Sequence, residues 1–126
     1  MQIQRLDTAL LTSLSLEALH LLRSREFDVA ASRFGYVFAN GRELAVAIRE
    51  DLQFCIGKIG ASSLIETDDE PYPTIEYFKP GNAADLLAAI GYRVATDNGK
   101  HILVDLVVRP KGREMHLYLE DIHVLA

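Results

Sequence analysis

Asp105 is the residue whose setting most invites chemistry. It interrupts the run Ile102-Leu-Val-Asp-Leu-Val-Val108, which is otherwise apolar on both sides of a strand. A run of that kind marks a central strand. A carboxylate within it is expected to be partly buried, and so to be hydrogen-bonded or to have its pKa raised. The expected strand registers place Tyr92 and Tyr118 beside it as hydroxyl donors, with His116 on the face of Tyr118. Asp105, Tyr92, Tyr118 and His116 could then work together in proton transfer. A satisfied structural aspartate, or one at the centre of a binding face, would present the same sequence pattern.

The other reactive residue types are less suggestive. His101, His116 and His123 are three of the chain's four histidines, yet no two of them stand at i, i+2 on one strand, and no HxxxH or HExxH pattern occurs. They read as sheet-surface residues, and no metal is expected. His20 lies on a leucine-rich helix and reads as a boundary residue. Cys55, in Phe54-Cys-Ile56, falls on an apolar helix stripe, where a thiol is usually inert. The glycines form no GxGxxG and no Walker loop, so no nucleotide cradle or other cofactor is expected.

These groups depend on the C-terminal half, which reads as antiparallel sheet. Lys111-Gly112 suits a two-residue turn with Pro110 opposite Arg113. That register pairs Val108 with Met115, Leu106 with Leu117 and Val104 with Leu119 as one apolar face. The other face pairs Arg109 with Glu114, Val107 with His116, Asp105 with Tyr118 and Leu103 with Glu120. Alternation changes phase at Glu120-Asp121, which predicts either a β-bulge or a strand leaving the sheet. Asp97-Asn98-Gly99-Lys100 signals a second hairpin, with a strand over at least 90–95 and Tyr92 opposite Asp105. In that register Ala89, Gly91 and Ala95 share the face of Ile102, Val104 and Leu106, a pattern that Arg93 violates. Thr74 to Phe78, between prolines, reads as an edge strand. Residues 82–89 are open between helix and strand.

The N-terminal half reads as helical. One helix covers Asp7 to Arg25, with a possible break at Ser13 or Ser15. A second is capped by Asp28, runs through Phe38 and stops at Asn40-Gly41. A third, from Arg42 to Lys58, carries Leu44, Ile48, Leu52, Cys55, Ile56 and Ile59 on one stripe. Residues 61–73 form a loop in which Glu66, Asp68, Asp69 and Glu70 supply four acids within five residues. The expected fold is therefore α+β: one domain over 1–126, with helices in 1–60, the acidic loop in 61–73, and a four-stranded antiparallel meander in 74–126 packed against the helices.

Composition narrows the function classes. Apolar residues make up 49% and charged residues 25% of the 126, which fits a globular domain with a real core. No apolar run reaches the roughly 20 residues of a membrane span. The start, Met1-Gln-Ile-Gln-Arg-Leu-Asp, lacks the signature of an export signal, and a single cysteine fits a reducing cytoplasm. A net charge of −5 argues against nucleic acid or an anionic membrane as partner and is compatible with a basic protein.

The segments Tyr77-Phe-Lys-Pro80, Asp97-Asn-Gly99, His101 to Val108 and Leu117-Tyr-Leu-Glu-Asp-Ile122 resemble small bacterial immunity proteins of polymorphic-toxin and contact-dependent growth inhibition systems. The resemblance spans roughly residues 77–122. It implies a cytoplasmic, non-enzymatic protein that binds a cognate toxin domain, often a nuclease, and occludes its active site. The acids Glu66, Asp68, Asp69 and Glu70, then Glu120 and Asp121, are the expected contacts for a basic toxin. The alternative is an NTF2-like small-ligand protein or enzyme with a pocket around Asp105. A deep apolar cavity there would favour the enzyme, and a filled core the inhibitor. A third possibility, an oligomerising domain, would pair strand 74–78 across a two-fold axis; the oligomeric state is open.

Overall fold

Asp7 starts the first helix. In the computed structural model, which describes residues 1–68 and 72–124, its Oδ1 accepts a hydrogen bond from the Leu10 amide at 3.0 Å. Helix α1 then runs unbroken over Thr8–Arg23. The break expected at Ser13 or Ser15 does not occur, because Leu11, Ser15, Ala18, Leu19 and Leu22 share one buried stripe. Burying that stripe outweighs the weak helix preference of two serines.

Helix α2 covers Phe27–Phe34 with Glu26, not Asp28, at the N-cap position. Asp28 sits in the first turn, where its charge still favours the helix N-terminus. The helix stops short of Phe38 because Gly35 takes a φ of 68°. A short 3-10 turn, Val37–Ala39, follows, and Asn40 and Gly41 swing the chain round with φ of 53° and 82°. Glu43 caps α3, Leu44–Lys58, accepting from the amides of Ala45 and Val46 at 3.2 and 3.1 Å. The third helix therefore begins two residues later than expected. Its buried side is Ala45, Ala47, Ile48, Leu52, Cys55 and Ile56, while Leu44, expected on that stripe, is exposed.

The sheet is antiparallel throughout. It consists of β1 (Gln2–Ile3), β2 (Thr74–Tyr77), β3 (Ala88–Ala95), β4 (His101–Lys111) and β5 (Glu114–Val124), in the order β1-β5-β4-β3-β2. The expected four-stranded meander is β2 to β5, with β2 at an edge. The fifth strand, β1, is a surprise, since two residues carry no period to read. Residues 82–87 form neither helix nor strand. The Asn82 amide donates to the carbonyls of Lys79 and Leu86 at 2.7 and 2.6 Å, and its Oδ1 accepts from the Leu86 amide at 3.1 Å. These bonds hold a turn that delivers the chain to β3.

Both hairpin registers differ from expectation, with unequal consequences. In the β4–β5 hairpin, Lys111 pairs with Glu114, so the turn residues are Gly112-Arg113. Gly112, at the first turn position, has a φ of 63°, which suits a II′ turn; the expected turn would have forced positive φ on Lys111. Moving the turn by one residue shifts the partners by two, and both faces keep their members. Val108 now pairs with Leu117, Leu106 with Leu119, Val107 with Tyr118 and Arg109 with His116. In the β3–β4 hairpin the loop has three residues, closed by the Thr96 amide on the Lys100 carbonyl at 2.9 Å. Thr96 Oγ1 also donates to Asn98 Oδ1 and to that same carbonyl, at 2.7 and 2.8 Å. Gly91, not Tyr92, is opposite Asp105, and Tyr92 pairs with Val104. A slip of one exchanges the faces. Ala88, Ile90, Tyr92 and Val94 point into the core, and Arg93 points out, which removes its apparent violation.

Those four residues join Ile102, Val104, Leu106 and Val108 of β4 and Leu117, Leu119 and Ile122 of β5. Against them pack Leu11, Leu19, Leu22, Phe34, Ile48 and Leu52 of the helices, as one core. The expected α+β architecture is observed: helices on one face of the sheet, and on the other a mixed face where Asp105, Arg109 and His123 are partly exposed beside buried Val107. Among the described residues no helix is long and apolar enough to cross a membrane.

Candidate functional site

The bulge in β5 builds the most distinctive cluster in the molecule. Leu106 pairs with Leu119 and Asp105 with Asp121, so Glu120 is an extra residue between two regular stretches. This is the bulge expected from the phase change. It returns Ile122 and Val124 to the core side, opposite Val104 and Ile102. It also turns Asp121 and His123 outward with Asp105. His123 Nε2 lies 2.7 Å from Asp105 Oδ2. One ligand-capable atom from each of Asp105, Asp121 and His123 lies within 4.8 Å of the others.

The cluster is partly open. The Asp105 and His123 side chains keep 34% and 39% of their exposure. On the β3 side Gly91 stands opposite Asp105, and a Cβ there would meet Asp105 Oδ1 at 3.5 Å. The missing side chain leaves an open depression of about 230 Å³ lined by Thr74, Glu76, Ala89, Gly91, Asp105 and Glu120. Burial pushes the Glu120 carboxyl up, and the neighbouring charges of Asp105 and Asp121 push the same way; Arg109, 3.9 Å away, only partly offsets them. Asp121 is likewise raised, by burial first, with His123 opposing and Asp105 and Asp51 adding to the rise.

The residues expected to share a proton-transfer site are separated. Tyr92 is buried in the core on the opposite side of the sheet from Asp105. Tyr118 pairs with Val107, and its ring stacks on His116 at 6.0 Å with 19° between planes. His116 Nε2 contacts Glu114 at 3.2 Å. The depression at Asp105 is open to solvent and is separated by the sheet from the space between helices and sheet, which is filled by apolar side chains. A ligand pocket lined by both Asp105 and Tyr92 is therefore excluded by the register.

The acidic residues divide into two groups. Glu120 and Asp121 stand with Asp105 on the outward face. Glu66 lies on the helical side, where its charge acts on Arg23 of α1, and Arg23 Nε donates to the Ile65 carbonyl at 3.2 Å. Asp68 belongs to the same loop; Asp69 and Glu70 lie outside the described residues. The start of this loop is tied down, since the Ser62 amide donates to Asp97 Oδ1 at 2.9 Å and Leu64 bridges to Thr96.

Sequence patterns missed two features. One is His123 as a partner of Asp105: histidine-to-histidine spacing is the wrong test, because its partners come from the facing strand across a bulge. The other is the clamp of Tyr36, Arg42 and Asp51. The Tyr36 hydroxyl donates to Asp51, and Arg42 donates to both Asp51 oxygens at 2.8 and 3.1 Å. Arg42 also reaches the carbonyls of Ala39 and Phe38 at 2.8 and 3.0 Å. These residues fasten the 3-10 turn to α3, and Arg42 and Asp51 line a groove of about 370 Å³ together with Cys55, Asp121, His123 and the exposed Phe38 and Phe54. Arg42 precedes its helix, so no helical spacing links it to Asp51. Comparison with protein-family models, curated proteins and solved structures finds no match.

Proposed function

We propose that this chain is a non-enzymatic immunity protein that binds a cognate toxin domain in the cytoplasm and occludes its active site. The observation that carries the reading is the gathering of Asp105, Glu120 and Asp121 on the outward sheet face, with His123 and Arg109 as their nearby counter-groups. Directly opposed like charges weaken a sheet, so such a patch costs the isolated fold and is relieved by cations from a partner. A basic toxin domain such as a nuclease meets that requirement. Charge complementarity would speed encounter and reject wrong partners. The resemblance of residues 77–122 to immunity proteins supports the same reading. The outward acids become the principal contacts, with Glu66 and Asp68 as a separate, secondary group.

The test pairs the protein with the toxin domain encoded beside its gene. Binding is expected, with an association rate that falls steeply as salt rises. The triple variant Asp105→Asn, Glu120→Gln, Asp121→Asn should associate roughly tenfold or more slowly at low salt. Absence of both binding and protection of toxin-expressing cells would overturn the proposal.

A further inference from the structure

The outward cluster also contains a mixed carboxylate and imidazole donor set. Asp105 and His123 by themselves make an ordinary carboxylate–imidazole contact at 2.7 Å. Asp121 is the anomaly. It stands directly opposite Asp105 in the ladder, where a sheet normally avoids like charges. The bulge at Glu120 puts it there, with an oxygen within 4.8 Å of the other two donors.

We propose that Asp105, Asp121 and His123 form a binding site for a divalent first-row transition-metal ion, with Zn2+ the simplest occupant. Donor atoms around an ion held by bonds of about 2.0–2.2 Å lie roughly 3–4 Å apart. Small side-chain rotations would open the 2.7 Å contact between His123 and Asp105 and draw in the wider spacings, all within 4.8 Å, to that range, and the partial exposure of Asp105 and His123 permits them. One imidazole and two carboxylates make a borderline donor set. Imidazole favours zinc and its neighbours over Mg2+ and Ca2+, which prefer oxygen alone. Glu120 adds negative potential beside the site without belonging to the three-donor set. The side-chain-free surface of Gly91 leaves an approach to Asp105 from the β3 side. Three protein donors leave at least one coordination position for water or for a donor from another molecule. The site stands on its geometry and does not depend on the toxin reading.

The experiment is a calorimetric titration of Zn2+ into the chelator-stripped full chain, with Mg2+ and Ca2+ as comparisons. One Zn2+ per chain is expected to bind, more tightly than either comparison ion. Asp121→Asn and His123→Gln should each weaken it roughly tenfold or more, while Glu66→Gln leaves it unchanged; circular dichroism checks that each variant is folded. Imidazole nitrogen NMR supplies a second readout that does not depend on any variant. The His123 Nε2 resonance should shift on adding Zn2+, while those of His20, His101 and His116 stay in place. No Zn2+ binding, binding indifferent to both variants, or a shift at another histidine instead would each overturn the proposal.

Discussion

Replacing Asp51 with alanine is expected to destabilise the fold by about 1.5–3 kcal/mol, the usual range for losing a hydrogen bond to a charged group. The loss is expected at the upper end because the Tyr36 hydroxyl, on a residue only 5% exposed, is left without its acceptor. The pH dependence identifies the mechanism. Burial pushes the Asp51 carboxyl up, but hydrogen bonds from Arg42 and Tyr36, together with the charge of Arg42, outweigh it and hold the carboxyl below its ordinary range. A carboxyl with a depressed folded pKa adds stability that is fully present above its unfolded value of about 4, and that is lost as pH falls through the folded value. Tyr36 acts at the opposite end. Burial, then the hydrogen bond and charge of Asp51, raise its phenol well above the usual value. Its contribution is present below the unfolded value of about 10 and is lost as pH rises toward the folded one. Urea midpoints measured from pH 3 to 11 (roughly the span of these two groups) should fall at both ends in the wild type. Both limbs should flatten in Asp51→Ala. A variant curve that simply runs parallel to the wild type would show that the clamp does not control the pH response.

Deleting Tyr118 should come close to unfolding the protein, whereas deleting Glu120, two positions along the same strand, should be tolerated. The bulge explains the contrast. Glu120 is the extra residue, so its removal joins Leu119 directly to Asp121 and restores plain alternation. Asp121 stays opposite Asp105, and Ile122 stays on the core side opposite Val104. The cost should be about 1 kcal/mol or less, with local straightening of the strand. Removing Tyr118 moves Leu119 to the outward face and brings Glu120 to the core position. Losing a buried leucine costs about 2–5 kcal/mol, and burying an unpaired carboxylate adds to it. Against a typical total of about 5–15 kcal/mol, that leaves little. Urea unfolding of the two deletions decides the matter: similar losses in both would mean that Glu120 is not the residue accommodated by the bulge.

The same alternation explains how far the sequence could be read. In β5 it was informative because apolar and polar residues alternate from Met115 to Glu120, and pairing with it fixed the faces of β4, so the face of Asp105, the core face and the bulge were all legible even with the turn misplaced by one. In β3 it was not. Ala88, Ala89, Gly91 and Ala95 are small residues that suit either face, and the face assignment rested on the Asn98-Gly99 turn alone. The extra loop residue, stabilised by Thr96 bonding across the turn, reversed that assignment and took Tyr92 away from Asp105. Arg93 was the residue that signalled the error. The site was legible only in its strand positions. The meeting of His123 with Asp105 depends on which residues face each other across a bulge, and the clamp of Arg42 with Asp51 depends on how a 3-10 turn folds back on a helix. Neither is a local pattern.

Cys55 gives the molecule a built-in clock. It is the chain's single cysteine, it is 3% exposed, and its Sγ faces the Ile122 carbonyl at 3.5 Å. Burial raises its pKa to about 11, with the charges of Asp121 and Asp51 adding to the shift. A thiol reagent can reach it only when α3 parts from the end of β5, so labelling reports the population of that opened state. Labelling should run roughly a thousandfold or more slower than for an unstructured thiol. Asp51→Ala should hasten it roughly tenfold or more, because the clamp and the thiol sit on the same helix. The packing of α3 on β5 therefore has a measurable lifetime, and one atom of sulfur keeps the time.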